Sequence, residues 1–298
     1  MRGPLAAIWT CCALLCLSGC RIPGLDGPVS RSQAASRHLC QQGVAAMERE
    51  QWQRAEELLQ QAVKSCATDA DSRRQYAETL WHRGAQAEAV KQMEDACRIA
   101  PDNAELHVRT AEMLLAMNHV EAAVRHARRA LELDPKLPAA WAMRGRIMQA
   151  NGQLREALAA YHRALGYGPS DRAIQLEIAE LYRQMEQPER ALALLQNLAE
   201  TCSPGEEPQR LLFLQGLVYK ELRRYDEAMQ SFSAAMARAG PSAEILCQWG
   251  ECFLAVGRTE EAAAAAREAL GLDPQHGHSR QLLAQVEVAQ RSGETSRR

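Results

Sequence analysis

Aromatic side chains are scarce in this sequence, at 5% of the residues and only 3 Phe. β-branched strand formers are thin as well, whereas Ala, Leu, Glu, Arg and Gln abound. The scarce group packs pleated sheets and the abundant one favours helices, so the composition leans to an all-α fold. An excess of charge of one sign is also missing: 35 Lys and Arg stand against 37 Asp and Glu, a net charge of -2. This balance argues against a general polyanion binder, and nucleic acid is not expected as a partner. The sequence lacks a nucleophile elbow, a Gly-rich phosphate loop and a zinc-protease helix motif. Neither an enzyme, a cofactor nor a small-molecule substrate is therefore expected. The eight His are scattered, with His276 and His278 the one close couple. Two His without a third ligand or a carboxylate nearby read as a solvated turn, and no metal is expected.

What is present begins at the N-terminus. Arg2 precedes an apolar run from Leu5 to Leu17, too short for a comfortable membrane span and suited to a secretory signal. The run closes in Leu17-Ser18-Gly19-Cys20, which resembles the bacterial lipobox. That resemblance implies a signal peptide over residues 1–19 and acyl chains on Cys20. Loss of the signal removes Arg2 alone among charged residues, leaving 34 basic and 37 acidic side chains. Each buried methylene contributes about 0.8 kcal/mol, so two or three chains anchor durably where one is marginal. Pro23, Gly24, Gly27 and Pro28 break regular structure, and residues 20–35 are expected to be a flexible tether. Arg21 is not the Asp that retains lipoproteins at the inner membrane in enterobacteria, so the resemblance implies an outer-membrane protein facing the periplasm. Residues 291–298 form a polar tail without apolar periodicity, expected to be disordered.

Between these ends the sequence repeats. Pro101, Pro135 and Pro169 lie 34 residues apart, Pro241 and Pro274 mark two later periods, and Ala67 holds the equivalent place one period before Pro101. Within each period a small residue recurs: Gly43, Ala77, Ala111, Gly145, Ala179, Gly216 and Gly250. Twelve residues on stands an alanine: Ala55, Ala89, Ala123, Ala157, Ala191, Ala228 and Ala262. A third small position follows at Ala62, Ala96, Ala130, Ala164, Ala235 and Ala269, with Leu198 replacing it once. Gly84, Asn118, Gly152 and Gly257 provide turns between the first two marks. Two antiparallel helices approach closely only where side chains are small, and larger residues such as Tyr161, Leu195, Phe232 and Phe253 fill the spaces beside them.

This pattern resembles the tetratricopeptide repeat family, whose unit is a 34-residue helix-turn-helix. The resemblance implies an α-α superhelix of seven units, at 36–69, 70–103, 104–137, 138–171, 172–205, 209–242 and 243–276. An amphipathic stretch at 277–290, with Leu282, Leu283, Val286 and Val288, then serves as a capping helix. The over-long segment from Cys202 to Pro208 reads either as a surface insertion or as a break between two blocks of repeats. Four cysteines fall in or at the end of the signal; of the remaining six, Cys66 and Cys97 are the best pair to test for a disulfide.

In such arrays the first helices line a concave groove for partner peptides or helices. By resemblance, Leu176, Phe213, Leu217 and Leu254 make an apolar floor edged by Arg183, Arg210 and Lys220. Arg146 occupies a further groove slot, and Trp81 beside Arg74 makes an aromatic anchor. Two sub-family signatures are absent. Cys40, Val44, Arg74 and Glu78 stand where carboxylate-clamp residues belong, and Gln41, Gln75, Arg109, Met143 and Glu177 stand in place of an asparagine ladder. The expected role is a membrane-anchored scaffold whose partners are other envelope proteins, in pilus, secretion or outer-membrane assembly. The alternative is a scaffold in polysaccharide export or cell-wall synthesis.

Overall fold

The computed structural model describes residues 28–168, 171–203 and 205–296. The expected signal peptide, Cys20, the first part of the expected tether, Pro169, Pro204 and the last two residues lie outside the described residues. The described residues form fifteen helices and no strand. They are α1 (Pro28–Glu48), α2 (Trp52–Ser65), α3 (Ala70–His82), α4 (Gln86–Ile99), α5 (Ala104–Ala116), α6 (Val120–Leu133), α7 (Pro138–Ala150) and α8 (Leu154–Tyr167). They continue with α9 (Arg172–Gln184), α10 (Pro188–Glu200), α11 (Gln209–Glu221), α12 (Tyr225–Ala239), α13 (Ala243–Ala255), α14 (Thr259–Leu272) and α15 (Gly277–Ser296).

Both ends are more helical than the composition suggests. Residues 28–35, expected in the tether, are the opening turns of α1. Proline is tolerated in a first helical turn, and the Ser, Arg, Gln and Ala that follow do not break a helix. At the other end α15 runs on to Ser296, past the expected boundary at 290.

One backbone device closes every helix pair. Glu50, Gly84, Asn118, Gly152, Glu186, Arg223 and Gly257 all have φ between 57° and 82°. After each, the next amide reaches back to a carbonyl five residues earlier, from Gln51 N to Ala46 O (2.9 Å) through to Arg258 N to Phe253 O (2.8 Å). This is the Schellman ending, which satisfies carbonyls that the helix terminus leaves bare. Three of the seven positions carry neither Gly nor Asn. Between pairs, short polar side chains start the next helix: Asp69 accepts from the Asp71 and Ser72 amides, Asn103 from Leu106, Asp171 from Ile174, and Ser242 from Ile245.

The contacts divide the chain into two compact units, residues 1–113 and 114–298. In the first, α1 packs on α2 and α3, and α3 on α2 and α4. Its core joins Leu59, Tyr76 and Leu80 to Ala46, Ala55, Ala62 and Ala89. A buried polar knot sits beside this core: Ser36 Oγ bonds Ala62 O (3.0 Å) and Asp69 Oδ2 (2.9 Å), and Ser72 Oγ donates to the same carboxylate (2.7 Å).

In the second unit α7 packs with α8, α9 with α10, α11 with α12 and α13 with α14, and α15 covers α13 and α14. The alanines at the second recurring position are fully buried, at 0% exposure, in both units. The glycines at the first position face large side chains. A Cβ on Gly145 would lie 2.8 Å from Tyr161 Cε1, and one on Gly216 2.5 Å from Phe232 Cε1. Burying such a ring contributes about 1.5–3 kcal/mol, and the missing Cβ is what admits it. Leu282 and Val286 of α15 enter the terminal core with Leu283 packed against it, whereas Val288 is 62% exposed.

The segment between α10 and α11 is a surface loop over a continuous core. Leu195 and Leu198 before it and Leu211, Leu214 and Phe232 after it belong to one cluster, so the array does not break there. Glu207 holds the loop to Arg238 (3.0 Å), and Gln209 Nε2 donates to Gly240 O (3.2 Å).

Candidate functional site

The first helices of the second unit's later pairs form a connected row: α9 touches α11, α11 touches α13, and α13 touches α15. Their shared face is bridged by polar rungs. Glu177 of α9 lies 3.0 Å from Arg210 of α11 and 3.9 Å from Arg146 of α7. Arg183 forks onto Glu180 (2.6 and 2.8 Å) and reaches Glu221 of α11 (2.6 Å). The hydrogen bonds that Arg183 donates to Glu180, with that to Glu221, raise its pKa above the usual value and outweigh the opposing effect of burial. Lys220 of α11 donates to Glu251 of α13 (2.6 Å) and to Gln248. Gln149 Nε2 donates to Gln184 (3.0 Å), while its oxygen accepts from the Tyr161 hydroxyl (3.0 Å). Burial pushes the Tyr161 pKa up, so the phenol stays neutral and keeps this bond. Half-exposed ion pairs contribute at most about 1 kcal/mol each, so these rungs set the spacing and charge pattern of the face more than its stability.

The predicted apolar floor is only partly there. Leu176 is 5% exposed and belongs to the core, so it offers nothing to a partner. It stands three residues before buried Ala179, on the same side of α9. Phe213 and Leu217 are half-buried against that core, with the Phe213 ring centroid 5.9 Å from Phe232. Phe213 also lines a shallow cavity of about 250 Å³ with Arg210, Ser242, Glu244 and Ile245. Leu254 is half-buried against the core beneath α15. Phe213, Arg210, Arg183 and Lys220 therefore share the α9–α11–α13 face, and Leu176 leaves the set. A second cleft of about 450 Å³ opens between α6 and α7, where Val124, Ala127, Leu131 and Ile147 lie beside Arg128 and Arg144.

In the first unit Trp81 is half-buried against the Leu59–Leu80 core, and the Arg74 guanidinium is held by Asp71 at 2.9 Å. The more organised group there joins residues that the sequence placed in separate slots: Arg109 grips Glu78 with two bonds of 2.7 Å and reaches Glu112 at 2.9 Å.

Cys66 and Cys97 form no disulfide. Cys97 Sγ lies 3.2 Å from Thr110 Oγ1 and Cys66 Sγ 3.6 Å from Thr68 Oγ1, and all six described cysteines are free. Burial raises the thiol pKa of Cys40, Cys97 and Cys247, and pushes that of Cys252 up to about 11. These are inert packing residues. The His276 and His278 pair does have a carboxylate beside it: His276 Nε2 lies 3.1 Å from Glu244 Oε2, brought in from α13.

Comparison with known proteins gives a consistent answer. One family model described as tetratricopeptide repeat matches residues 40–104, 176–244 and 213–277, and two more of the same description match 148–201 and 126–159. A curated relative, the TPR repeat-containing protein YpiA of Bacillus subtilis (strain 168), is 22% identical over 212 residues, 71% of this chain. The chain spans about half the length of that relative, 49% of it. A tetratricopeptide repeat protein of Parabacteroides merdae superposes with a TM-score of 0.69 at 16% identity, covering 85% of this chain and 99% of its own. Pseudomonas aeruginosa pilF gives a TM-score of 0.58 at 17% identity, covering 72% of this chain and 97% of its own. The likenesses to solved structures concern the fold. With one model matching more than half of its length and buried small residues at every repeat, this chain belongs to the tetratricopeptide repeat family.

Proposed function

We propose that the chain is a lipid-anchored scaffold of the bacterial cell envelope that holds segments of partner proteins along its row of first helices. The α9–α11–α13 face carries the reading. It sets Arg183, Arg210 and Lys220 among Glu177, Glu180, Glu221 and Glu251, with Phe213 at its edge. Such a surface suits an extended segment or helix that carries its own charges and one apolar anchor. The anchor half of the reading rests on Leu17-Ser18-Gly19-Cys20 closing an apolar run. Arg21 favours the outer membrane, with the repeats in the periplasm. Among the described residues no helix is long and apolar enough to cross a membrane. The array acts by binding and not by catalysis.

Photo-crosslinking in the native envelope tests both halves. A photoreactive residue in place of Arg210 should trap a discrete partner, whereas one at exposed Gln230 on α12 should not. Cys20→Ala should move the protein out of the membrane fraction. Equal trapping at both positions, or a variant that stays in the membrane, would overturn the corresponding half.

A further inference from the structure

We propose that Glu244, His276 and His278 bind a divalent cation of the zinc class that fastens α15 onto α13. The three residues come from different places: the first turn of α13, the turn before α15, and the first turn of α15 itself. The fold brings one donor atom of each within 4.8 Å of the others. His276 Nε2 and Glu244 Oε2 are 3.1 Å apart. Two ligands at about 2.0–2.1 Å from a tetrahedral zinc ion stand roughly 3.3 Å from each other, so this pair is already spaced as one edge of a coordination shell. The His278 ring lies edge-on to that of His276, centroids 5.8 Å apart, and its exposed side chain can turn to complete the set.

A second observation points the same way. His276 Nδ1 is 2.7 Å from the hydroxyl of Ser279, which is fully buried, and the His276 side chain is itself 16% exposed. A metal-binding imidazole usually has its other nitrogen held by a hydrogen bond, which fixes the ring and directs the ligating nitrogen. In the tautomer whose Nδ1–H donates to Ser279, Nε2 turns its lone pair towards the carboxylate, an arrangement that a cation between them satisfies. Gln248 Nε2 donates to the other Glu244 oxygen at 3.2 Å and steadies it in turn. The first turns of α13 and α15 present positive dipole ends to the site, which opposes a cation. The Glu244 charge offsets that field, and two imidazoles with one carboxylate suit zinc while leaving a position open for water.

The test needs no partner on the α9–α11–α13 face, although Glu244 also lines the cavity beside Phe213. The mature full chain, purified in detergent without a polyhistidine tag, is titrated with zinc chloride by calorimetry, and amide exchange is followed in α15. The wild type should bind one zinc ion that His278→Ala and Glu244→Gln bind at least tenfold more weakly. Zinc should slow exchange in α15 of the wild type and leave both variants unchanged. His278 is exposed, so its removal leaves the fold intact, which helical content confirms. Identical zinc isotherms for wild type and His278→Ala, or α15 exchange indifferent to zinc in the wild type, would overturn the proposal.

Discussion

Gly216→Ala is a change that helix propensity alone would favour. Alanine is better than glycine inside a helix by about 0.8–1 kcal/mol. At this point in α11, however, the added Cβ would lie 2.5, 2.6 and 2.8 Å from Cε1, Cδ1 and Cζ of Phe232. That ring is 0% exposed and also leans on Phe213, so it cannot swing aside cheaply. Overpacking of this kind costs about 1–3 kcal/mol, so after the propensity gain the net expectation is a loss of up to about 2 kcal/mol. Gly166 provides the control. It is exposed in the last turn of α8, where a Cβ would meet nothing within 4 Å, and Gly166→Ala should be neutral or stabilising. Repeat arrays unfold with limited cooperativity, so a urea midpoint should be paired with amide exchange, which locates the loss. Protection should fall in α11 and α12 and hold in α3 and α4. In a Phe232→Leu background the shorter side chain makes room, and the same Gly216→Ala change should become neutral or favourable. An unaltered penalty in that background, or no penalty in the wild type, would refute the reasoning.

Three further outcomes are expected. Arg183→Glu with Lys220→Glu should abolish partner capture while helical content stays as it was, since the pairs with Glu180, Glu221 and Glu251 are partly exposed and individually weak; capture at wild-type strength would remove this face from the site. Under native conditions a thiol reagent should modify half-buried Cys202 first, with Cys97, Cys247 and Cys252 reacting only on unfolding, as mass mapping of the modified peptides would show. Burial raises the Asp69 pKa, but hydrogen bonds from Ser72, Ser36 and the amides of Ser72 and Asp71 outweigh it and hold the carboxyl below its usual value. Its contribution is therefore present above the unfolded pKa of about 3.9 and lost as pH falls through the lower folded value. Below pH 4 the urea midpoint of wild type should fall more steeply than that of Asp69→Asn.

Much of the fold was legible because packing imposed a period on the sequence. Gly145 and Gly216 had to be small for Tyr161 and Phe232 to be buried, and Ala157 and Ala228 for the paired helices to meet. The turns were only half visible. Gly84, Asn118, Gly152 and Gly257 announce a left-handed residue by type, whereas Glu50, Glu186 and Arg223 adopt the same φ without being marked by it. Their register would have found them, since each lies 34 residues from one of those glycines. Leu176 was misplaced because a first-helix leucine can face a groove or a core, and nearby Ala179 shows which side was buried. The charge ladder and the Glu244–His276 contact join residues about one repeat apart, 33 positions in the case of Glu177 and Arg210 and 32 for Glu244 and His276. Their spacing was on view, but complementarity across a repeat is not a local motif.

The uniform helix joints have a consequence for how such a chain can change length. Removing residues 153–186 would connect Gly152 directly to Gln187, replacing one left-handed joint by another of the same kind. Every later helix would keep its rotational phase, and α11 would keep α10 and meet α7 where α9 had stood. A deletion of thirty or thirty-two residues would instead leave the junction out of register, turning the helix fused there about its axis and swinging its buried alanines towards water. The molecule is thus divisible in whole hairpins and resistant to cuts of any other size.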